Sequence, residues 1–285
     1  MNLPYLSEQS ISDFIETALN EDIGVGDHSS LGSIPKGKES QARLLIKGEG
    51  VLAGVQLAEK IFRKVDPYLE VNLLLKDGDQ VKYGDIGLTV IGSTTSILSS
   101  ERLVLNCMQR MSGIATKTAR LNKMIEHTNA KLLDTRKTTP NFRMMEKWAV
   151  AIGGGTNHRF GLFDMVMLKD NHNDFAGGIT KAVTSTVEYL RLNNLDLKIE
   201  VETRNLDEVK EALSTGAVDQ IMLDNFEVPA MKEAVEFIDG RVKTEASGGI
   251  TEETIVAIAK TGVDYISVGA LTHSYNSLDI SLKAF

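Results

Sequence analysis

Residues 214–224 read STGAVDQIMLD, and residues 260–268 read KTGVDYISV. In both stretches a glycine, Gly216 or Gly262, follows a helical pattern and can end a helix with a positive φ angle. An aspartate and a short apolar run, typical of a buried strand, come next. This repeated transition from helix to strand predicts alternating α and β elements and therefore a parallel sheet.

The same rhythm extends over the second half of the chain. Strand-like runs occur at residues 131–134, 165–169, 198–202, 220–224, 242–246 and 265–268. Helical runs occur at residues 143–152, 180–192, 206–213, 229–237 and 252–259. No Gly-x-Gly-x-x-Gly dinucleotide fingerprint follows the first strand. Six such units therefore favour an α/β barrel, closed or open, over a doubly wound sheet.

The first half of the chain reads as mixed α and β. Helical periodicity marks residues 7–20 and 55–65, and strand-like runs mark residues 43–55, 69–75, 80–83 and 87–91. A long, mostly apolar helical stretch covers residues 96–126, and we expect it to break near Ser112-Gly113. This change of pattern predicts a separate N-terminal domain.

Bulk composition excludes several classes of protein. The 285 residues carry a net charge of −8, which argues against a nucleic-acid partner. No apolar run reaches the roughly eighteen residues of a membrane span, and residues 1–12 do not resemble a signal peptide. The single cysteine, Cys107, rules out an intrachain disulfide. These features predict a cytoplasmic protein with no membrane partner.

Cationic residues are nevertheless concentrated in one region. Only Glu146 and Asp164 are acidic between residues 136 and 169. The cations there are Arg136, Lys137, Arg143, Lys147, His158, Arg159 and Lys169. Several of them stand at strand ends or beside glycines rather than along one helix face. We therefore expect a local pocket for an anionic ligand.

The carboxyl ends of the predicted strands indicate what that ligand contains, because parallel α/β barrels hold their chemistry there. Arginines can grip carboxylates through two parallel hydrogen bonds, and lysines suit phosphate. Carboxylates can hold magnesium or sugar hydroxyls, and glycine turns before helices present N–H groups to phosphate. In chain order these residues are Arg136, Lys137, Arg159, Lys169, Glu202, Asp224, Ser247, Gly248, Gly249, Val268 and Gly269. Phosphoribosyl pyrophosphate (PRPP) with magnesium, together with an aromatic dicarboxylate, would satisfy all of them.

At these residues the chain resembles the quinolinate phosphoribosyltransferase family, also called nicotinate-nucleotide pyrophosphorylase (carboxylating). The most specific matching stretches are residues 134–140, DTRKTTP, and residues 157–159, NHR. Other matches are residues 21–24, 26–27, 101–102, 105–106, 153–155, 168–172, 200–202, 223–226, 245–250 and 267–269. They occur in order over nearly the whole chain. One departure is Asn141, where the family commonly has glycine, and both residues suit a turn.

The resemblance implies an α/β protein with two domains. Residues 1–114 would form an N-terminal α/β sandwich domain, with a C-terminal tail, about 272–285, packed back on it. Residues 115–271 would form an open parallel α/β barrel. The resemblance also implies a homodimer with shared active sites, and whether dimers assemble further is left open.

The implied reaction couples quinolinate to PRPP and releases CO2 and pyrophosphate. Quinolinate would be held by Arg136, His158, Arg159 and, from the partner subunit, Arg102. Lys137 and Lys169 would face PRPP, and Glu202 and Asp224 would hold Mg²⁺ and ribose hydroxyls. These four are the expected catalytic residues. Residues 247–249 and 268–269 would bind phosphate.

Three alternatives remain open at this stage. One is a related phosphoribosyltransferase acting on another aromatic acid, as in the branch found with molybdate transport genes. Another is an aldolase on a similar barrel that forms a Schiff base through Lys169. The third is a sensor that binds PRPP without releasing pyrophosphate. His172, which follows Lys169 closely, is expected to be structural.

Overall fold

The computed structural model describes residues 3–285. Its helices are α1 (Glu8–Ile23), α2 (His28–Ser33), α3 (Val55–Val65), α4 (Thr94–Ile125), α5 (Arg143–Ile152), α6 (Asp170–Ala176), α7 (Ile179–Leu192), α8 (Leu206–Ser214), α9 (Val228–Ile238), α10 (Ile255–Ala259) and α11 (Ala270–His273). Its strands are β1 (Glu39–Ile46), β2 (Gly50–Val51), β3 (Glu70–Leu73), β4 (Gln80–Val81), β5 (Ile86–Ser93), β6 (Lys131–Leu133), β7 (Val166–Leu168), β8 (Ile199–Thr203), β9 (Gln220–Asp224), β10 (Lys243–Ser247), β11 (Tyr265–Ser267) and β12 (Ile280–Ala284).

The chain folds into two compact units. Unit 1 contains residues up to 119 together with residues 138–154 and 271–285, and unit 2 contains residues 120–137 and 155–270. The border drawn from the sequence lay at residues 114 and 115. Contacts place residues 115–119 and 138–154 in unit 1, so α5 does not belong to the unit that contains the strands on either side of it in the sequence.

Unit 1 is built on a four-stranded antiparallel sheet with the order β12-β1-β5-β3. The last strand of the chain pairs with the first, from Ile46 opposite Ile280 to Ala42 opposite Ala284. Alternate residues of the central strands are fully buried, as Leu44 on β1 and Leu88 on β5 show. This period of two is what a sheet with one covered face requires.

Helix α4 runs unbroken over 32 residues, so the break expected near Ser112-Gly113 was wrong. Gly113 serves close packing instead. A Cβ atom added there would lie 2.3 Å from the carbonyl oxygen of Asn276 and 3.0 Å from the ring of Tyr275. The Ser112 hydroxyl accepts a hydrogen bond from the Ala53 N–H at 2.9 Å. Glycine here lets another segment approach the helix, which offsets its low helix propensity.

Unit 2 contains a six-stranded parallel sheet with the order β6-β11-β10-β9-β8-β7. All six strands lie where the sequence predicted them. Strands β6 and β7 form the two edges and do not pair with each other within residues 3–285, so the sheet is open. All five residues of β8 are buried, as expected for a strand covered on both faces. The expected α/β fold class is confirmed.

None of the helices within residues 3–285 is long and apolar enough to cross a membrane.

Candidate active site

Twelve of the thirteen predicted site residues lie in unit 2. Ten of them stand at or just beyond the carboxyl ends of its strands, and His158 and Arg159 lie between α5 and β7, in the segment whose Thr156 forms a bridge with Leu133 of β6. The thirteenth is Arg102, an exposed residue of α4 in unit 1. The twelve residues include two groups, and within each group the members contact one another or lie close together. One contains Arg136, His158 and Arg159, and the other contains Lys169, Glu202, Asp224, Ser247 and Gly248. Lys137 is exposed, and its N–H donates to the Thr135 hydroxyl at 3.0 Å.

The two arginines of the first group lie close enough to affect each other. Burial lowers the pKa of Arg159, and the charge of Arg136 lowers it further, while Glu200 and Asp164 raise it. The Arg159 guanidinium donates to the Met165 carbonyl oxygen at 3.1 Å, which fixes its direction. Two half-buried guanidinium groups side by side repel each other, so a ligand with two carboxylates would relieve that repulsion.

His158 lies on a buried set of polar groups that we name the His158 cluster: His158, Glu200, Gln220 and Glu245. Nε2 of His158 is 2.9 Å from a Glu200 carboxylate oxygen and 3.3 Å from one of Glu245. The Gln220 amide nitrogen donates to both carboxylates at 2.7 Å. Both glutamates are fully buried, and the His158 side chain is 6% exposed.

The cluster changes the proton affinity of its members. Burial alone would lower the pKa of His158, but the hydrogen bonds and charges of Glu200 and Glu245 outweigh it and raise the pKa to about 10. Burial raises the pKa of Glu245 to about 7, and the charge of Glu200 adds to that effect while His158 opposes it. The cluster therefore holds a proton between two carboxylates that could not both be buried without one.

Asp134 fixes the segment that carries His158 and Arg159. This aspartate follows β6 and is fully buried. One of its oxygens accepts from the His158 N–H at 2.8 Å, and the other accepts from the Asn157 amide at 2.7 Å. Hydrogen bonds of an ionised acceptor are the stronger kind, so Asp134 joins residues 157–159 firmly to the end of β6.

The second group contains both predicted metal ligands. The Lys169 ammonium is 3.5 Å from the Glu202 carboxylate, whose side chain is 10% exposed. Burial raises the pKa of Glu202; the charge of Lys169 lowers it, and that of Asp224 raises it again. Two neighbouring carboxylates that repel each other fit a divalent cation, which prefers oxygen ligands.

The glycine turn after β10 lies beside Asp224. Asp224 and Ser247 are register partners at the ends of β9 and β10, and the Asn225 N–H donates to the Ser247 carbonyl oxygen at 2.9 Å. Gly248 has φ +93°, and an added Cβ would lie 2.2 Å from the Asn225 side chain. Gly249 has φ +59° with nothing within 4 Å of such an atom. The turn is therefore packed tightly on one side and open on the other, which suits a phosphate.

Val268 and His172 both make contacts within the protein that bear on their expected roles. The Val268 N–H donates to the Leu133 carbonyl oxygen at 3.0 Å, and its side chain is 4% exposed. Val268 therefore cannot offer that N–H to a phosphate while the bond persists. His172 accepts from the Lys169 N–H through Nδ1 at 3.0 Å and caps α6, so its expected structural role is confirmed.

Sequence reasoning assigned no role to Asp134, Glu200, Gln220 or Glu245. A signal was present, because Glu200 stands two residues before Glu202, and Glu245 stands two residues before Ser247. Residues two apart on a strand share a face. A charged residue inside a buried parallel strand should therefore have been expected to pair with another charged group.

Unit 1 has a cavity of about 840 Å³ that none of the predicted site residues lines. It is formed by α1, α4, residues 139–144 and residues near Tyr275. The Arg110 guanidinium lies in its wall, paired at 2.6 Å with the fully buried Glu146 and 4.9 Å from the ring centroid of Tyr275. Arg110 thus has its charge balanced within the protein.

Comparison with known proteins agrees with this geometry. The family model described as quinolinate phosphoribosyl transferase, C-terminal domain, matches residues 114–283, and its N-terminal counterpart matches residues 23–112. The chain belongs to the quinolinate phosphoribosyl transferase family. The family expected from the sequence is thereby confirmed.

Relatives in this family are similar over most of their length. The chain is 50% identical to the chloroplastic nicotinate-nucleotide pyrophosphorylase [carboxylating] of Arabidopsis thaliana, over 94% of this chain and 81% of that protein. It is 42% identical to the probable nicotinate-nucleotide pyrophosphorylase [carboxylating] of Bacillus subtilis, over 92% and 89%. The crystal structure of NadC from Streptococcus pyogenes superposes with a TM-score of 0.91 at 39% identity, covering 98% of this chain and 99% of that one.

Proposed function

We propose that this protein transfers the phosphoribosyl group of PRPP to quinolinate and releases pyrophosphate and CO2, giving nicotinate mononucleotide for NAD biosynthesis. Membership of a family whose named members are decarboxylating quinolinate phosphoribosyltransferases supports this proposal. The observation that carries it is the proximity of the Arg136 and Arg159 guanidinium groups, since two cations suit an aromatic dicarboxylate.

The proposed chemistry needs no covalent bond to the protein. The pyridine nitrogen attacks C1′ of the ribosyl group while the bond from C1′ to pyrophosphate breaks, and its electron pair leaves with pyrophosphate. The 2-carboxylate then departs as CO2, and its electron pair stays on C2, where the positive ring nitrogen stabilises it. A proton from solvent completes the product. The protein contributes positioning and charge.

Each group of residues has a task in this scheme. Arg136 and Arg159 orient the dicarboxylate, His158 supports Arg159 from beneath, and Arg102 of the partner subunit completes that pocket in a homodimer. Lys137 and Lys169 face the phosphates of PRPP. Ser247, Gly248, Gly249 and Gly269 bind its 5′-phosphate.

Magnesium would be held by Glu202 and Asp224, close to Lys169 and to the turn that begins at Ser247. Their mutual repulsion, which adds to the effect of burial in raising the pKa of Glu202, supports the fit. When bound, the cation would neutralise the charge of the departing pyrophosphate. Lys169 and the ribose hydroxyls would share these carboxylates.

Pyrophosphate release from PRPP and magnesium tests the proposal, with quinolinate, nicotinate or no acceptor compared. Release with quinolinate alone, accompanied by stoichiometric CO2, is the expected result. Nicotinate lacks the 2-carboxylate and would leave a buried guanidinium without its partner, so it should react poorly. Release with nicotinate, or with another aromatic acid only, would contradict the two-carboxylate assignment.

The Schiff-base aldolase considered from the sequence receives no support from the site. Lys169 is half-exposed and paired with Glu202, unlike the desolvated lysines that form Schiff bases. The cytoplasmic location stays a prediction, because relatives from plants are named as mitochondrial or chloroplastic.

A further inference from the structure

The His158 cluster lies one layer below the ligand-facing ends of the strands. Glu200 precedes Glu202 on β8 by two residues, Glu245 precedes Ser247 on β10 by two, and Gln220 on β9 is the register partner of Glu200. Side chains on one face recur every second residue, at about 3.3 Å per residue, so each layer is about 7 Å deep. The cluster therefore supports the site from beneath and is too deep to be its surface.

Two fully buried glutamates demand an explanation. An isolated buried carboxylate is costly, and apolar residues of similar volume would serve stability at least as well. Here both carboxylates converge on a single imidazole nitrogen and a single amide nitrogen, Nε2 of His158 and Nε2 of Gln220. Stability alone therefore does not account for these two glutamates.

The imidazole transmits that position to Arg159. Nδ1 of His158 accepts the Arg159 N–H at 2.7 Å, and the His158 N–H is held by Asp134 at 2.8 Å. The ring and the backbone of residues 157–159 are thus fixed from two sides, by the cluster and by β6. Because Nδ1 accepts this N–H, the proton of the ring is on Nε2, which donates it to the carboxylates.

The glutamates of the His158 cluster also place negative charge beneath the positive charges of Arg136 and Arg159. Arg136 and Arg159 repel each other, and the charge of Glu200 acts on Arg159 in the opposite sense. Without the buried carboxylates, the repulsion between the two guanidinium groups would be opposed by less negative charge.

We propose that Glu200, Gln220 and Glu245 are positioning residues, which hold the His158 ring and thereby set Arg159 for an aromatic 1,2-dicarboxylate. The inference rests on the proposed function, because it names what prepares that same site. None of the three residues needs to touch the substrate. Their effect should therefore fall on the dicarboxylate and spare PRPP.

A metal ion is the competing explanation of the cluster. The ligand atoms of His158, Glu200 and Glu245 lie within 4.8 Å of one another. However, the Gln220 amide donates to Oε1 of Glu200 and to Oε2 of Glu245, the oxygen that also faces His158, and an N–H donor directed at that oxygen is an unfavourable neighbour for a cation. Hydrogen bonds account for the contacts that Nε2 of His158 and the Gln220 amide make with the two carboxylates.

The test uses the full-length protein and two variants, Glu245→Gln and Gln220→Met. The first removes one charge at constant shape, and the second removes the bridging amide without changing charge. Asp264→Asn is the matched control, since Asp264 accepts from Thr244 and pairs with Lys243 at the opposite end of β10. Thermal unfolding establishes that each variant folds. Calorimetric binding of quinolinate without PRPP, and the KM values for both substrates, are then measured.

We expect both variants to bind quinolinate about 10- to 100-fold more weakly, with the KM for PRPP changed less than about threefold. Nitrogen-15 spectra of wild type, assigned by the signal lost in His158→Gln, should show Nε2 protonated. Asp264→Asn should lose thermal stability and keep wild-type binding. Unchanged quinolinate binding in both folded variants would overturn the proposal, as would equal losses for both substrates.

Two further outcomes separate this proposal from the proposed function. If wild type binds no quinolinate, the proposed function itself fails. If chelator-treated protein retains stoichiometric transition metal that Glu245→Gln lacks, the cluster is a metal site and the positioning proposal is overturned.

Discussion

Nδ1 of His158 accepts the backbone N–H of Arg159 at 2.7 Å, while Nε2 of the same ring lies 2.9 Å from Glu200. The first contact favours the neutral ring, and the second favours the cation. Leaving the N–H without an acceptor costs roughly 1–3 kcal/mol, equivalent to about one to two pH units. The carboxylates raise the pKa from 6.5 to about 10 despite burial. A protonated Nδ1 cannot accept a hydrogen bond, so the ring makes both contacts only in its neutral form, with its proton on Nε2.

The stability of the protein should depend on pH through this ring. Because the folded-state pKa of His158 exceeds the unfolded value, the stabilisation is complete below about pH 6.5 and is lost as pH rises through about 10. Glu200 and Glu245 face the ring, and Asp134 and Arg159 contact its residue through the backbone. The pKa of Glu245 is raised to about 7, so the titration of this carboxylate changes the stability of the protein mainly below the pH range in which His158 does.

Urea unfolding of wild type and His158→Gln between pH 7 and pH 10 measures this dependence. The difference in unfolding free energy should shrink with rising pH by up to about 1.4 kcal/mol per pH unit. A difference that stays flat over this window would mean that the ring is neutral in the folded protein.

Arg136→Ala should reduce kcat/KM for quinolinate at least about 100-fold with the fold intact. The loss of two charged hydrogen bonds to a carboxylate is worth roughly 3–6 kcal/mol, or about 10²- to 10⁴-fold in rate. Arg204→Ala is the matched control, because Arg204 is half-exposed and paired only with Asp174 and Glu208 among the ionic contacts of residues 3–285. Near-normal turnover by folded Arg136→Ala would contradict the assignment of Arg136 to the quinolinate pocket.

Glu202→Gln should raise the magnesium concentration needed for half-maximal pyrophosphate release by roughly tenfold or more, since even outer partners of metal ligands contribute that much. Complete chelation should abolish release by wild type. Glu211→Gln provides the control, because Glu211 accepts from Thr180 on a neighbouring helix. An unchanged magnesium titration for folded Glu202→Gln would remove Glu202 from the metal site.

Gly248→Ala should impair the use of PRPP more than that of quinolinate. The new methyl group would collide with Asn225, whose amide donates to Asp224 at 2.7 Å. Overpacking costs about 1–3 kcal/mol, so the KM for PRPP should rise about 5- to 150-fold. Gly216→Ala has a similar φ of +66° with open space around it, and it should cost stability alone. Equal KM values for the two variants would contradict the phosphate assignment.

The sequence was sufficient for the parts of this fold that local patterning determines. The six strands of unit 2 and α5 follow from periodicity and turn residues, and the rule about strand ends led to the proposed site residues, which stay a prediction. Asn141, the departure from the family pattern, has φ 62°, which asparagine tolerates nearly as glycine does. The His158 cluster was missed because it unites three strands and a loop far apart in sequence.

Gly113 shows the same limit of sequence-based prediction. The residues that pack against it on α4, Tyr275 and Asn276, stand more than 150 positions later in the chain. Gly113→Ala should lower the unfolding free energy by about 1–3 kcal/mol, although alanine is the better helix former. The added methyl group would meet the Asn276 backbone carbonyl at 2.3 Å, a contact that no rotamer change relieves. In Gly32→Ala, on α2, nothing lies within 4 Å, so propensity alone should make it neutral or slightly more stable. Urea unfolding of both variants decides the matter: if both gain stability, α4 is not closely packed at Gly113.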